Sequence, residues 1–194
     1  MLEPAVHQAA CQAMRRRDLV QSAVAAVSGA AALTMLGAVW PAGAQAPAGS
    51  LPKAGSVLKL PEVVLLDASV WRGFDRRGHT LVVYWWASWC PFCALQSPHI
   101  EALWRKHQAA GLGVLALSID KQPAVAAAYM AAKGYSFAAG MLTPEVARWL
   151  PKPPGLPVVV VLKINAQDGQ SGQVVWAESG EMFPEDIEGL KKYI

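Results

Sequence analysis

Thr80-Leu81-Val82-Val83-Tyr84-Trp85 is an unbroken run of apolar, β-branched and aromatic residues. A strand with one wet face alternates apolar and polar residues, whereas a run without alternation reads as a strand covered on both faces. Such a strand belongs in the middle of a sheet and needs a packed layer on each side. Directly after it the pattern turns helical, from about Pro91 to Ala109. Ile100, Leu103 and Trp104 share one face of that helix, Arg105, Lys106 and His107 suit its C-terminal dipole, and Gly111 can cap it.

The rest of the chain continues the alternation. Leu112 to Ile119 is a second central strand, and Pro123 to Lys133 is an Ala-rich helix stopped by Gly134. Thr143-Pro144-Glu145 supplies an N-cap, a first-turn proline and an acid for a short helix ending before Pro151. Val158 to Leu162 is a third buried strand and Gln173 to Ala177 a fourth. A last helix opens at Pro184-Glu185-Asp186 and closes on Lys191-Lys192, with Ile187, Leu190 and Ile194 as its core stripe. Upstream, Val57 to Leu60 and Val63 to Leu66 are short runs split by Pro61, as edge strands are, and turns follow around Arg72-Gly73 and Arg77-Gly78. This order predicts a three-layer α/β/α sandwich with a central mixed sheet and an N-terminal β extension. At 194 residues the chain has room for one such domain, placed at residues 57–194.

The first 44 residues read differently. Arg15-Arg16-Arg17-Asp18 precedes an Ala- and Gly-rich apolar stretch from about Leu19 to Trp40, and small residues follow at Ala42-Gly43-Ala44. These are the three parts of an export signal, with the mature start placed near Gln45. Two arginines followed by Asp18-Leu19-Val20 give it a twin-arginine character. An apolar core of about 20 residues also allows an uncleaved membrane anchor, and a buried N-terminal helix is the bland alternative. Cys11 lies before the arginines and leaves with a cleaved signal. Either form of export places the domain in a periplasmic or otherwise exported compartment, where disulfides persist. Residues 45–56 are rich in Pro, Ala and Gly and read as a flexible leader. The chain is 54% hydrophobic and 16% charged, which excludes a disordered polyelectrolyte. Its net charge of +3 forms no basic stripe, so no nucleic-acid partner is expected.

One constellation carries chemistry: Trp89-Cys90-Pro91-Phe92-Cys93, at the junction of the buried strand and the helix. The first turn of a helix offers unpaired N–H groups and the positive end of the dipole. A thiol there has its anion stabilised, so Cys90 is expected to titrate below the free value of about 8.5. A thiolate attacks disulfides, and Cys93, one turn along, can resolve the mixed disulfide by closing a ring with Cys90. Pro91 lacks the N–H that would be orphaned in that turn. A structural zinc site needs two more ligands, and the mature chain has no other cysteine; His79, His99 and His107 read as surface residues. No metal or other cofactor is expected. An inert structural disulfide gains little, because so short a loop is barely constrained by crosslinking.

On these residues the chain resembles the thioredoxin superfamily and, within it, exported TlpA/ResA-like thiol-disulfide oxidoreductases. The resemblance runs over about residues 55–194 and rests on Val82 through Cys93, on Pro98, and on Gly155-Leu156-Pro157 entering a strand. It implies a cis Pro157 facing Cys90, with Leu156 pairing its backbone to the substrate chain. It also implies that Trp89 lies beside the active site, so that Trp89, Pro91, Phe92 and Leu156 form an apolar rim suited to a flexible protein chain. The activity implied is exchange of a Cys90–Cys93 dithiol with protein thiols and disulfides, in the reducing direction, with electrons from a membrane thiol relay. A disulfide-donating oxidase of the DsbA kind and a thioredoxin-fold binding or chaperone module are the alternatives. A peroxidase lacks the proline-threonine context of a peroxidatic cysteine. Two positions depart from the pattern: Tyr84 stands where thioredoxin has a buried aspartate, and Gln96 where many ResA-like proteins have a glutamate. Neither takes up a proton readily near pH 7.

Overall fold

The computed structural model describes residues 49–194, so the expected export signal at residues 1–44 lies outside the described residues. A six-stranded mixed sheet runs in the order β1 (Val57–Lys59), β8 (Ser171–Ser179), β7 (Val158–Ile164), β4 (Thr80–Trp86), β5 (Leu112–Ser118), β6 (Ala138–Met141). A separate two-stranded hairpin joins β2 (Val63–Val64) to β3 (Val70–Trp71). The run that opened the sequence reading is β4. It pairs parallel with β5 and antiparallel with β7, and every residue in it is buried.

The two faces of β4 fill two cores. Val82, Tyr84 and Trp86 pack with Ile100 and Leu103 of α1 (Pro91–His107), Ala126 and Met130 of α2 (Pro123–Lys133), and Ile187 of α4 (Pro184–Gly189). Leu81, Val83 and Trp85 pack with Val63, Trp71, Leu150 and Val146, the last from α3 (Pro144–Ala147). Helices therefore flank both sides of the sheet, as the unalternating run requires. Each of the four helices opens with proline in its first turn, where fixed φ and a missing N–H cost nothing. Among the described residues, no helix is long and apolar enough to cross a membrane.

Several details refine or depart from the sequence reading. β6 was not anticipated: Ala-Ala-Gly-Met has no β-branched residue, but it completes the sheet and meets the hairpin through a bridge from Leu65 to Gly140. A Cβ on Gly140 would lie 2.7 Å from Val63 Cγ1 and 2.8 Å from the Val64 carbonyl oxygen, so only glycine admits this approach. β8 is longer than its apolar core because an irregularity at Val161/Leu162 takes up one extra residue and keeps the pairing going. The turn after β3 is a short 3₁₀ segment, Gly73–Arg76. The last helix is α-helical only to Gly189, then tightens to 3₁₀ over Leu190–Tyr193, whose Tyr193 carbonyl accepts a 2.6 Å hydrogen bond from Thr80 Oγ1. Within the segment read as a leader, Gly55 donates its N–H to the Val174 carbonyl.

Candidate active site

Strand β4 ends at Trp86, and Ala87-Ser88-Trp89 turns the chain into α1, of which Cys90 is the N-cap and Pro91 the first residue. An extended backbone at Cys90, φ −85° and ψ 116°, aims its side chain back over the turn, where Sγ accepts the Cys93 N–H at 3.3 Å. One of the helix's orphan donors thus serves a sulfur instead of a conventional capping oxygen. Both thiols are free, and they differ little in exposure: Cys90 is 4% exposed and Cys93 1%. Burial, together with a hydrogen bond involving Cys90, pushes the Cys93 thiol up to about 12.

Under Cys93 lies a floor of neutral polar groups. Ser97 Oγ donates to the Cys93 carbonyl at 2.7 Å and lies 3.0 Å from the Tyr84 hydroxyl, which is itself 3.5 Å from that carbonyl. Burial, then the nearby Cys93 sulfur, push the Tyr84 phenol well above its ordinary value near 10. Gln96 is also buried; its Oε1 accepts the Met182 N–H at 2.9 Å and its Nε2 has no partner. The amide thus ties α1 to the segment that leads into α4.

The turn before Cys90 is held by a residue the sequence reading missed. Asp120, buried just past β5, accepts the Ser88 N–H at 3.0 Å and the Ser118 hydroxyl at 2.7 Å on Oδ2, and the Ser88 hydroxyl at 2.7 Å on Oδ1. Its own N–H returns to Ser118 Oγ at 3.0 Å. A signal was present: an acid just beyond the C-terminal end of a strand running parallel to β4 falls at the sheet end where α/β sites assemble.

Trp89 is 65% exposed, Pro91 and Phe92 are exposed, Leu156 is half-buried and Pro157 is buried. The Leu156–Pro157 peptide bond is cis. Leu156 packs against both cores, and the segment before it is braced by Lys152, whose Nζ donates to the Pro153 and Gly155 carbonyls at 2.7 and 2.8 Å. Phe183 and Leu95 are further exposed apolar side chains, the first beside Met182 and the second beside Gln96.

Solved structures share this architecture. A thiol:disulfide interchange protein of the thioredoxin family from Chlorobium tepidum TLS superposes with a TM-score of 0.62 at 20% identity, covering 73% of this chain and 97% of its own. A putative thiol:disulfide interchange protein DsbE from Chlorobium tepidum gives 0.57 at 24%, over 74% and 95% of the two chains. StoA from Bacillus subtilis gives 0.55 at 15%, over 72% and 99%. No curated protein matches the sequence. The sandwich, with a dithiol across the first turn of the helix after its central strand, has the thioredoxin-like fold. The chain belongs to the AhpC/TSA family, whose model matches residues 43–143.

Proposed function

We propose that the protein is an exported reductase of protein disulfides, with Cys90 as the attacking cysteine and Cys93 as the resolving one. The observation that carries the assignment is the Cys93 N–H directed at Cys90 Sγ, a fixed donor where negative charge sits on the attacking sulfur. Cys90 also lies between the exposed Trp89 and Pro91, and Cys93 is the slightly more buried of the two thiols. Cys90 sulfur attacks a substrate disulfide, forming the mixed disulfide and releasing one substrate thiolate. Cys93 sulfur then bonds to Cys90 sulfur, the Cys90–substrate bond breaks, and the second substrate sulfur leaves as a thiol. The protein is left oxidised, and a dithiol donor, read as a membrane thiol relay, returns it to the reduced state. Leu156 and Pro157 shape the groove that holds the substrate chain, and Trp89 and Phe92 contact its apolar residues. Export rests on the segment at residues 1–44 and on the resemblance to exported oxidoreductases.

The test has two parts. Cys90→Ser is expected to abolish reduction of insulin disulfides and Cys93→Ser to accumulate a mixed disulfide; an active Cys90→Ser protein would sink the assignment. A glutathione titration of the full chain followed by tryptophan fluorescence then fixes direction. A two-electron transition at or below about −220 mV marks a reductant, one near about −120 mV reverses the assignment to a disulfide donor. Absence of any such transition leaves a binding module.

A further inference from the structure

Cys93 poses a chemical problem. To close the disulfide its sulfur must carry negative charge, yet it is 1% exposed, and burial opposes that charge strongly. Among the described residues, no carboxylate is hydrogen-bonded to either cysteine. What the floor does offer is the Tyr84 hydroxyl. Tyr84 is fully buried on the face of β4 that packs under α1, and its ring sits in the same core as both cysteines. The Ser97 hydroxyl proton is committed to the Cys93 carbonyl at 2.7 Å, so at the 3.0 Å contact the Tyr84 O–H is the donor and Ser97 Oγ the acceptor. This fixes the phenol oxygen beside residue 93, 3.5 Å from its carbonyl oxygen, where the hydroxyl works against the effect of burial on the Cys93 thiol.

We infer that the Tyr84 hydroxyl, held in place by Ser97, is the hydrogen-bond donor that stabilises the Cys93 thiolate during the resolving step; the inference rests on the dithiol reading above. With Cys93 protonated, the Tyr84 O–H points to Ser97 Oγ. As the thiol loses its proton, the O–H turns to the sulfur, and Ser97 keeps its own bond to the carbonyl. Tyr84 does not take the proton: a buried phenol holds its own too firmly. The Cys93 proton passes to the departing substrate sulfur, so one S–S bond forms, one breaks, and one thiol is released for the thiol consumed. Cys93 is thus served by a donor of fixed position and no net charge. Other titratable groups that feel the sulfur's charge are Cys90 at the N-cap of α1, Tyr129 on α2 and Lys152 before β7.

The test separates the two sulfurs in time. Reduced full-length protein is mixed with one equivalent of dithiobis-nitrobenzoate in a stopped-flow instrument. The first nitrothiolate released reports attack by Cys90, and the second reports attack by Cys93 on the mixed disulfide. Tyr84→Phe keeps the ring and removes the donor. It is expected to leave the first release unchanged, slow the second about tenfold, the size of one hydrogen bond to a charged group, and move its pH midpoint upward. Site-specific 3-fluorotyrosine at position 84, a stronger donor of nearly the same shape, is expected to speed the second release and move the midpoint down, which covers the case of a Phe variant that folds poorly. An unchanged second release, or both releases slowed together at an unchanged midpoint, overturns the inference and leaves Tyr84 a packing residue. A wild-type protein that gives no second release overturns the dithiol reading itself, and this inference with it.

Discussion

Two buried carboxylates brace the same side of the sheet in nearly the same way. Asp120 takes both the N–H and the hydroxyl of Ser88, and Glu101 takes both the N–H and the hydroxyl of Ser136. Glu101 adds the Phe137 N–H and an ion pair with Arg105, whereas Asp120 adds only the Ser118 hydroxyl. Burial works to raise the Glu101 carboxyl, but the Ser136, Arg105 and Phe137 hydrogen bonds outweigh it and hold the group below its ordinary range. Glu101 fastens the far half of α1 to the segment entering β6, remote from the thiols. Asp120 fastens the residue two before Cys90. The same chemical device serves as a strut in one place and, on the proposed assignment, as a mount for the attacking sulfur in the other. The cation sits with the strut, away from the sulfurs, where a charge would perturb thiol chemistry.

The contrast is open to attack in order of effect. Asp120→Ala strips acceptors from two hydroxyls and an N–H and is expected to cost about 3 kcal/mol in urea denaturation. It should also slow the first nitrothiolate release, because the turn that presents Cys90 loses its anchor. Loss of stability with an unchanged first release would show that Asp120 is only a second strut. Glu101→Gln is expected to cost about 1–2 kcal/mol with both releases unchanged. Because the folded-state pKa of Glu101 is lowered, its contribution is fully present above the ordinary value near 4.5 and fades as pH falls through the lower folded value. Wild type and Glu101→Gln should therefore converge in stability in acid, and a constant gap down to pH 2 would contradict the assignment. Arg105→Met is the mildest: its side chain is 58% exposed, so the pair contributes at most about 1 kcal/mol. A larger loss that disappears in high salt would mean that the ion pair carries the strut.

The sequence made the sandwich legible because its strongest signals are local. An unalternating run, four proline-opened helices and Gly134 closing one of them each act within a few residues. β6 was illegible because its reason lies elsewhere: Ala138–Met141 is a strand only because β5 needs a neighbour and the hairpin needs Gly140 beneath it. At the candidate site, the two thiols one helical turn apart followed from spacing, and the cis Leu156–Pro157 bond from resemblance. Asp120 could not be, since its partner Ser88 is a long way off in the chain and becomes a neighbour only through the β4–β5 pairing. Tyr84 and Gln96 were legible as departures from a pattern. What replaces the missing acids, a serine-braced hydroxyl and an amide tied to Met182, emerges only from packing.

The bond from Thr80 to the Tyr193 carbonyl pins the last turn of the chain to the first residue of β4, and Trp86, at the other end of that strand, leads into Cys90. Six steps of about 3.3 Å set the two points roughly 20 Å apart along the strand. A linker, dye or immobilising tag attached after Ile194 would therefore hold the domain at the end of the sheet opposite the turn that carries Cys90 and Cys93.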